Sequence, residues 1–155
     1  LVDQIGDADC IVASRWCHGA EVFPRQPLLR QIASRTFNLI TRVFFGLPLT
    51  DTQCGAKLMR REAIQAVLPH IGITQWAFDV DMLYQLKRAG CKIREIPTVW
   101  KDVGGSKVQI GRTSSQMGVA LVRLRLIHSP FRFIVTLYDL TLAPIIKRKH
   151  LQAMQ

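Results

Sequence analysis

Arg30 and Ser34 have the side chains and the spacing to bind an anion together. They stand four residues apart in a segment with helical periodicity, so they share one helix face. A guanidinium and a hydroxyl on the same face can hold phosphate oxygens through hydrogen bonds. Because an ordinary solvated helix face would show the same spacing, this pair alone does not decide between binding and structure.

Two further segments carry polar groups that can contribute to such a site. Segment 51–57 reads Asp-Thr-Gln-Cys-Gly-Ala-Lys, and its Gly55 lets the backbone approach a ligand closely. Asp79 and Asp81 flank one apolar residue at a predicted helix start, where the helix dipole favours ionised carboxylates. The structural alternative for segment 51–57 is a tight turn, and for Asp79 and Asp81 it is a capping cluster at the helix N-terminus. Basic and hydroxyl side chains follow at Lys101, Ser106 and Lys107. Together these groups predict an anion-binding site.

Other kinds of site are disfavoured by the sequence. Asp7-Ala8-Asp9 has the form of a DxD metal motif, but it runs directly into an apolar segment and is predicted to be a polar strand entrance. The four cysteines include no CxxC pair, which argues against zinc and a disulfide framework and favours a reducing compartment. The segment 104–107 lacks the rest of a Walker or dinucleotide-binding pattern.

The elements that must position these groups alternate between strands and helices. Apolar and alternating runs predict strands over 8–14, 56–59 and 92–100. Helical spacing predicts helices over 27–45, 61–68, 78–88, 113–127 and 130–146, with a loop between the first strand and residue 24. The 155 residues fit one domain of ordinary size, and the order of elements predicts an α/β fold followed by a helical tail.

The charge distribution points to a polyanionic partner. The chain carries a formal charge of +10, and residues 101–155 hold nine basic side chains against two acidic ones. With 48% hydrophobic residues it is too apolar for a disordered polycation. The apolar run 131–146 precedes Lys147, Arg148 and Lys149 and is too short and polar to span about 30 Å of hydrocarbon. It fits a helix at an anionic membrane surface, or equally a core helix with a solvated tail.

Two other classes of protein share this charge pattern. A nucleic-acid-binding module would interleave exposed aromatic residues with Lys and Arg, whereas Phe131, Phe133 and Tyr138 lie in apolar surroundings. A non-catalytic adaptor at a membrane surface is the other alternative. We expect an acidic membrane surface rather than nucleic acid as the partner.

Three ordered motifs connect the chain to a known family. They read DTQCGxKL at 51–58, WAFDVDMLY at 76–84 and WxxxxGSK at 100–107. This set resembles the inverting family 2 glycosyltransferases that act on polyprenyl phosphates, and most closely the dolichyl-phosphate β-glucosyltransferase branch. The dolichyl-phosphate mannose synthases are more distant. The chain departs from the family at Asp81, where glutamate is usual, and at Ala56, where an aromatic residue is commoner.

The resemblance implies a fold and an activity. It implies the C-terminal, acceptor-binding half of a GT-A fold over residues 1–110, followed by a basic amphipathic, membrane-interfacial tail over 111–155. The implied reaction transfers a hexose, glucose from UDP-glucose, to dolichyl or polyprenyl phosphate with inversion; a mannose synthase-like transferase is the alternative. Mg²⁺ or Mn²⁺ would be bound by a DxD motif outside this chain, so the chain alone is expected to be inactive. The implied location is the cytoplasmic face of the endoplasmic reticulum or of a bacterial inner membrane.

The resemblance also assigns roles to individual residues. Six residues match family positions that hold the acceptor phosphate or belong to a loop closing over it. They are Arg15, Arg30, Ser34, Lys101, Ser106 and Lys107. Gln53 and Gly55 belong to an active-site loop, and Asp51 and Asp79 are candidate catalytic residues. A phosphate monoester with a second pKa of about 6 is largely dianionic at neutral pH, so no strong general base is required. Asp79 is therefore expected to orient a cation or contact the sugar.

Overall fold

A small mixed sheet forms the centre of the fold. The computed structural model describes residues 1–24, 26–72, 77–101 and 110–141, with side chains of the last stretch from residue 114. The strands are β1 (Cys10–Ser14), β2 (Glu21–Phe23), β3 (Lys57–Met59), β4 (Ile93–Pro97) and β5 (Val99–Lys101). β1 lies between β3, to which it is antiparallel, and β4, to which it is parallel. All five residues of β1 are buried, as expected for an apolar central strand.

Five α-helical segments accompany this sheet among the described residues. They are α1 (Leu28–Phe45), α2 (Arg61–Val67), α3 (Phe78–Arg88) and α4 (Ile110–Ile127), with a further helical segment over 132–141. Pro27 precedes the first residue of α1, and Gly46 ends the helix in the left-handed conformation at φ 62°. The core joins Phe37 and Phe45 of α1 to residues of the sheet, of α3 and of α4. Its other members include Cys10, Val12, Leu47, Val80, Leu83, Leu86, Leu121 and Leu124.

The predicted order of elements is confirmed as α/β, with three corrections. The predicted loop over 15–24 is wrong because it contains β2, which pairs in parallel with β5 as a separate ribbon. The single predicted strand over 92–100 is also wrong. Thr98 divides it, donating its backbone N–H to Ser14 and accepting one from Glu21, so β4 and β5 join different sheets. The third correction is that α4 begins three residues earlier than expected, at Ile110.

Toward the C-terminus, the described residues end at residue 141. The helical segment 132–141 falls within the helix predicted over 130–146. Lys147, Arg148 and Lys149 lie outside the described residues, and the division of the chain at residue 110 stays a prediction. None of the helices among the described residues is both long and apolar enough to cross a membrane.

Candidate functional site

Arg15 directly follows β1 and is fixed by an ion pair with Asp51. Its Nε donates to Asp51 Oδ2 at 2.6 Å, and its Nη2 donates to Oδ1 at 3.0 Å. The Asp51 side chain is fully buried and that of Arg15 is 10% exposed. The pair lies at the carboxyl end of β1 and β4, the edge where open α/β sheets commonly bind ligands. The guanidinium is therefore held in one orientation at this edge.

Two tryptophan rings pack near the same guanidinium. The Arg15 carbon Cζ lies 5.4 Å from the centre of the Trp100 ring and 5.9 Å from that of Trp16. Arg35 of α1 also lies over the Trp16 ring, at 5.2 Å. Cation–π contacts at these distances add to the positioning of both arginines.

The polar segment that supplies Asp51 is tied to β4 and α1. Glu95 of β4 accepts hydrogen bonds from the backbone N–H of Thr50 at 2.9 Å and of Asp51 at 2.8 Å. Asn38 of α1 accepts from the N–H of Thr52 at 3.0 Å and from its hydroxyl at 2.9 Å. A segment held from both sides keeps the Asp51 carboxylate in place. Neither Glu95 nor Asn38 was identified from the sequence, because each acts through residues distant in the chain.

A cavity of about 510 Å³ adjoins Arg15 between α1 and α4. Its lining combines cationic, hydroxyl and amide groups with apolar ones: Arg15, Gln26, Pro27, Arg30, Ala33, Ser34, Thr36, Phe37, Ile40, Gln53, Ser114, Met117 and Gly118. This volume lies within the range of about 300–1,000 Å³ typical of small-molecule sites. Three of the residues predicted to hold a phosphate, Arg15, Arg30 and Ser34, are thus brought together, along with Gln53.

Several other predicted residues do not line this cavity. Asp51 contacts two residues that do line it, the guanidinium of Arg15 and the backbone N–H of Gln53 at 3.2 Å, so its effect on a ligand there would be that of a positioning residue. Gly55 is exposed, with open space where a side chain would project. Lys101 is exposed at the end of β5, and Ser106 and Lys107 lie outside the described residues.

Asp79 and Asp81 face different surroundings, neither of which is the cavity. Asp79 forms an ion pair with Lys57 Nζ at 3.1 Å, and its role toward a sugar or a cation in the site stays a prediction. Asp81 is fully buried and accepts the N–H of Gly72 at 2.7 Å. His128 Nε2 lies 2.9 Å from Asp81 Oδ1, which joins α3 to the residue following α4. Because Asp81 contacts these neighbours, the departure from the family there affects packing.

The acidic residues before β1 have a structural role. Asp7 forms ion pairs with Lys92 and Arg94, and the Lys92 ammonium lowers the pKa of the Asp7 carboxyl below its usual value. Asp9 accepts the backbone N–H of Lys92 at 2.7 Å. These contacts fix the start of β4 and agree with a polar strand entrance. Across the described ranges, no three His, Cys, Asp or Glu side chains are grouped to hold a metal ion.

Comparison with known proteins shows what the chain is related to. It is 31% identical over 151 residues to the glycosyltransferase AglD of Haloferax volcanii, covering 96% of this chain and 22% of that protein. It is 30% identical over 121 residues to a dolichyl-phosphate beta-glucosyltransferase of Dictyostelium discoideum, covering 78% of this chain and 36% of the relative. It is 32% identical over 108 residues to the dolichyl-phosphate beta-glucosyltransferase of Saccharomyces cerevisiae, covering 70% of this chain and 32% of that protein. No family model and no solved structure matches the chain.

These similarities make the chain a relative of glycosyltransferases. They confirm the resemblance based on the three motifs, which is to family 2 glycosyltransferases of the polyprenyl-phosphate class. The chain spans between 22% and 36% of the length of these three curated relatives.

Proposed function

We propose that this chain forms the acceptor side of an inverting family 2 glycosyltransferase with a GT-A fold. The proposed reaction transfers glucose from UDP-glucose to dolichyl or another polyprenyl phosphate. The observation that carries this proposal is the shared cavity of Arg15, Arg30 and Ser34, which offers two cations and a hydroxyl to one phosphate. The names of the relatives support glucose as the sugar and dolichyl phosphate as the acceptor.

The chemistry assigned to these residues is positioning and neutralisation of charge. A phosphate monoester is largely dianionic at neutral pH and needs no strong base before one of its oxygens attacks the anomeric carbon. Arg15, held by Asp51, would keep that oxygen in line with the sugar while Arg30 and Ser34 bind the remaining oxygens. A divalent cation, Mg²⁺ or Mn²⁺, is proposed for the side of the enzyme that binds the sugar nucleotide, where the resemblance implies a DxD motif outside this chain.

The proposal includes docking at an anionic membrane surface through α1. Leu28, Ile32, Leu39 and Val43 follow at intervals of four, seven and four residues, so they lie along one face of the helix. Each is between 53% and 70% exposed, while Phe37 and Phe45 on the opposite side are buried. The helix carries three arginines and no acidic residue. An apolar face on a cationic helix fits the boundary between lipid headgroups and acyl chains.

The position of this apolar face relative to the cavity suits a lipid-linked acceptor. Arg30 and Ser34 line the cavity from the same helix that carries Leu28 and Ile32 on its outer face. A polyprenyl phosphate could therefore place its phosphate in the cavity while its hydrocarbon chain stays in the bilayer. The enzyme would meet its acceptor without extracting it from the membrane.

Co-sedimentation with vesicles tests the acceptor part of the proposal. Vesicles containing polyprenyl phosphate should bind the chain more tightly than vesicles of equal charge without it. Arg30→Ala should remove this difference, and Arg61→Ala, at an exposed arginine of α2, should preserve it. Equal binding to both vesicles would contradict a polyprenyl-phosphate site. A DNA mobility shift tests the nucleic-acid alternative in parallel.

The same assay tests the membrane face of α1. Replacing Leu28 and Ile32 by serine should weaken binding to every vesicle. Leu68→Ser is the matched control, because Leu68 is 60% exposed and lies outside α1. If the double variant and the parent bind vesicles equally, α1 does not dock to the membrane.

A further inference from the structure

The side chain of Gln26 is buried beside the cavity without a hydrogen-bond partner. It is 4% exposed, and neither Nε2 nor Oε1 has a partner among the described residues. Its backbone carbonyl, by contrast, accepts a hydrogen bond from Gln31 Nε2 at 2.6 Å. Burying a carboxamide with both polar atoms unpaired costs stability, which is unusual unless a ligand or an ordered water supplies the partners.

Gln26 shares its cavity with the groups assigned to the acceptor phosphate. The cavity is lined by Gln26 together with Arg15, Arg30 and Ser34, and the Ser34 hydroxyl likewise lacks a partner among the described residues. A ligand in the cavity can therefore satisfy the hydroxyl and the carboxamide at once. The volume of about 510 Å³ exceeds what a phosphate alone requires.

The chemistry of the carboxamide indicates which part of the ligand it contacts. A dianionic phosphate only accepts hydrogen bonds, so it can pair with Nε2 but leaves Oε1 without a donor. A hydroxyl both donates and accepts, and neighbouring hydroxyls of a hexose can satisfy both atoms of one carboxamide. Arginine cannot serve as the acceptor for a sugar hydroxyl, because it has donors only.

We propose that Gln26 is a sugar-recognising residue that binds hydroxyls of the hexose joined to the acceptor phosphate. This inference rests on the proposed function, since it takes Arg15, Arg30 and Ser34 to hold that phosphate. Gln26 would then favour the glycosylated phosphate over the bare one. In the complete enzyme Gln26 would contact the hexose as it becomes joined to the acceptor phosphate, and it would thereby contribute to the choice of sugar.

Soluble probes test the inference on the 155-residue chain, held in a polyoxyethylene detergent that carries no sugar. Inorganic phosphate and β-glucose 1-phosphate are titrated separately, with the fluorescence of Trp16 and Trp100 beside Arg15 as the readout. The parent chain should bind the sugar phosphate about tenfold more tightly than phosphate, as expected for one or two added hydrogen bonds. Gln26→Leu should remove this preference and leave phosphate affinity unchanged. Gln65→Leu, at an exposed glutamine of α2, should preserve it.

The outcomes separate this inference from the proposed function. Binding of neither probe by the parent chain would contradict the phosphate site and the inference with it. Phosphate binding without a preference for the sugar phosphate, or a preference that survives Gln26→Leu, would overturn the inference alone. The melting temperature of Gln26→Leu should equal or exceed that of the parent, because leucine removes an unpaired buried amide. A lower melting temperature together with weaker phosphate binding would make Gln26 structural and overturn the inference.

Discussion

The Asp51 carboxylate contacts both the side chain and the backbone of Arg15. In addition to the two bonds from the guanidinium, Asp51 Oδ2 accepts the backbone N–H of Arg15 at 3.2 Å. The two residues are 36 positions apart, so the contact joins the end of β1 to the segment before β3. A buried carboxylate thereby fixes the direction of a cation that lines the cavity.

Removing the Asp51 carboxylate should destabilise the fold strongly. Asp51→Ala leaves the nearly buried Arg15 cation without its counter-charge, and we expect a loss of about 3–5 kcal/mol in the free energy of unfolding. Chemical denaturation measures this loss. Asp139→Ala is the control, because Asp139 pairs with Arg123 at 2.6 Å but is 40% exposed. Exposed pairs of this kind contribute about 0–1 kcal/mol. Equal losses for both variants would contradict the importance assigned to the buried pair.

Arg30→Ala should impair use of the acceptor much more than binding of the donor. In the transferase proposed above, loss of one charged hydrogen-bonding partner of the phosphate should cost about 1.5–3 kcal/mol, or roughly tenfold to a hundredfold in acceptor kcat/KM. Steady-state kinetics with each substrate varied in turn measures the effect. Arg61→Ala should leave both values unchanged. Unaltered acceptor kinetics in Arg30→Ala would remove Arg30 from the site.

The basic residues near the C-terminus should add an electrostatic contribution to membrane binding. Each of Lys147, Arg148 and Lys149 should contribute up to about 1 kcal/mol of attraction to anionic lipid. Changing all three to glutamine should weaken vesicle binding sharply at low salt and less at high salt, where screening already weakens these charges. Co-sedimentation at two salt concentrations measures the difference. Equal binding of the variant and the parent at low salt would contradict a membrane role for these residues.

Cys10 should make the stability of the fold depend on alkaline pH. Burial within β1 raises the pKa of its thiol from 9.0 to about 11, against a smaller opposing effect of Lys57. The unfolded thiol ionises first, so the contribution of the neutral thiol is complete below pH 9 and is lost as the pH rises through about 11. Unfolding free energies of the parent and Cys10→Ala should therefore converge over this range. A constant difference between them would contradict the raised pKa.

The parts of the fold that were predictable are those with local signals. The bounds of α3 were predicted correctly because acidic residues open it, Lys87 and Arg88 close it, and Gly90 follows at φ 77°. β2 was missed because its three residues become a strand only by pairing with β5, far along the chain. The apolar periodicity of α1 predicted a helix but not which of its faces is buried.

The residues of the candidate site likewise divide into those that the sequence could predict and those that it could not. Arg30 and Ser34 could be recognised together because their spacing places them on one helix face, and the structure has both in the cavity lining. Gln26 could not be recognised, since only the folded chain shows that its carboxamide is buried and unpaired. Sequence spacing identifies neighbours on one element, whereas burial and partners depend on contacts between elements.

The outward-facing aliphatic side chains of α1 have a consequence for handling the protein. In water without lipid, this helix face must meet either solvent or another apolar surface, and contiguous exposed patches of this kind promote self-association. The state of the purified chain should therefore vary with its concentration and with the amphiphile present. Oligomers observed in detergent-free buffer would follow from the surface that α1 exposes, without any need for a dedicated subunit interface.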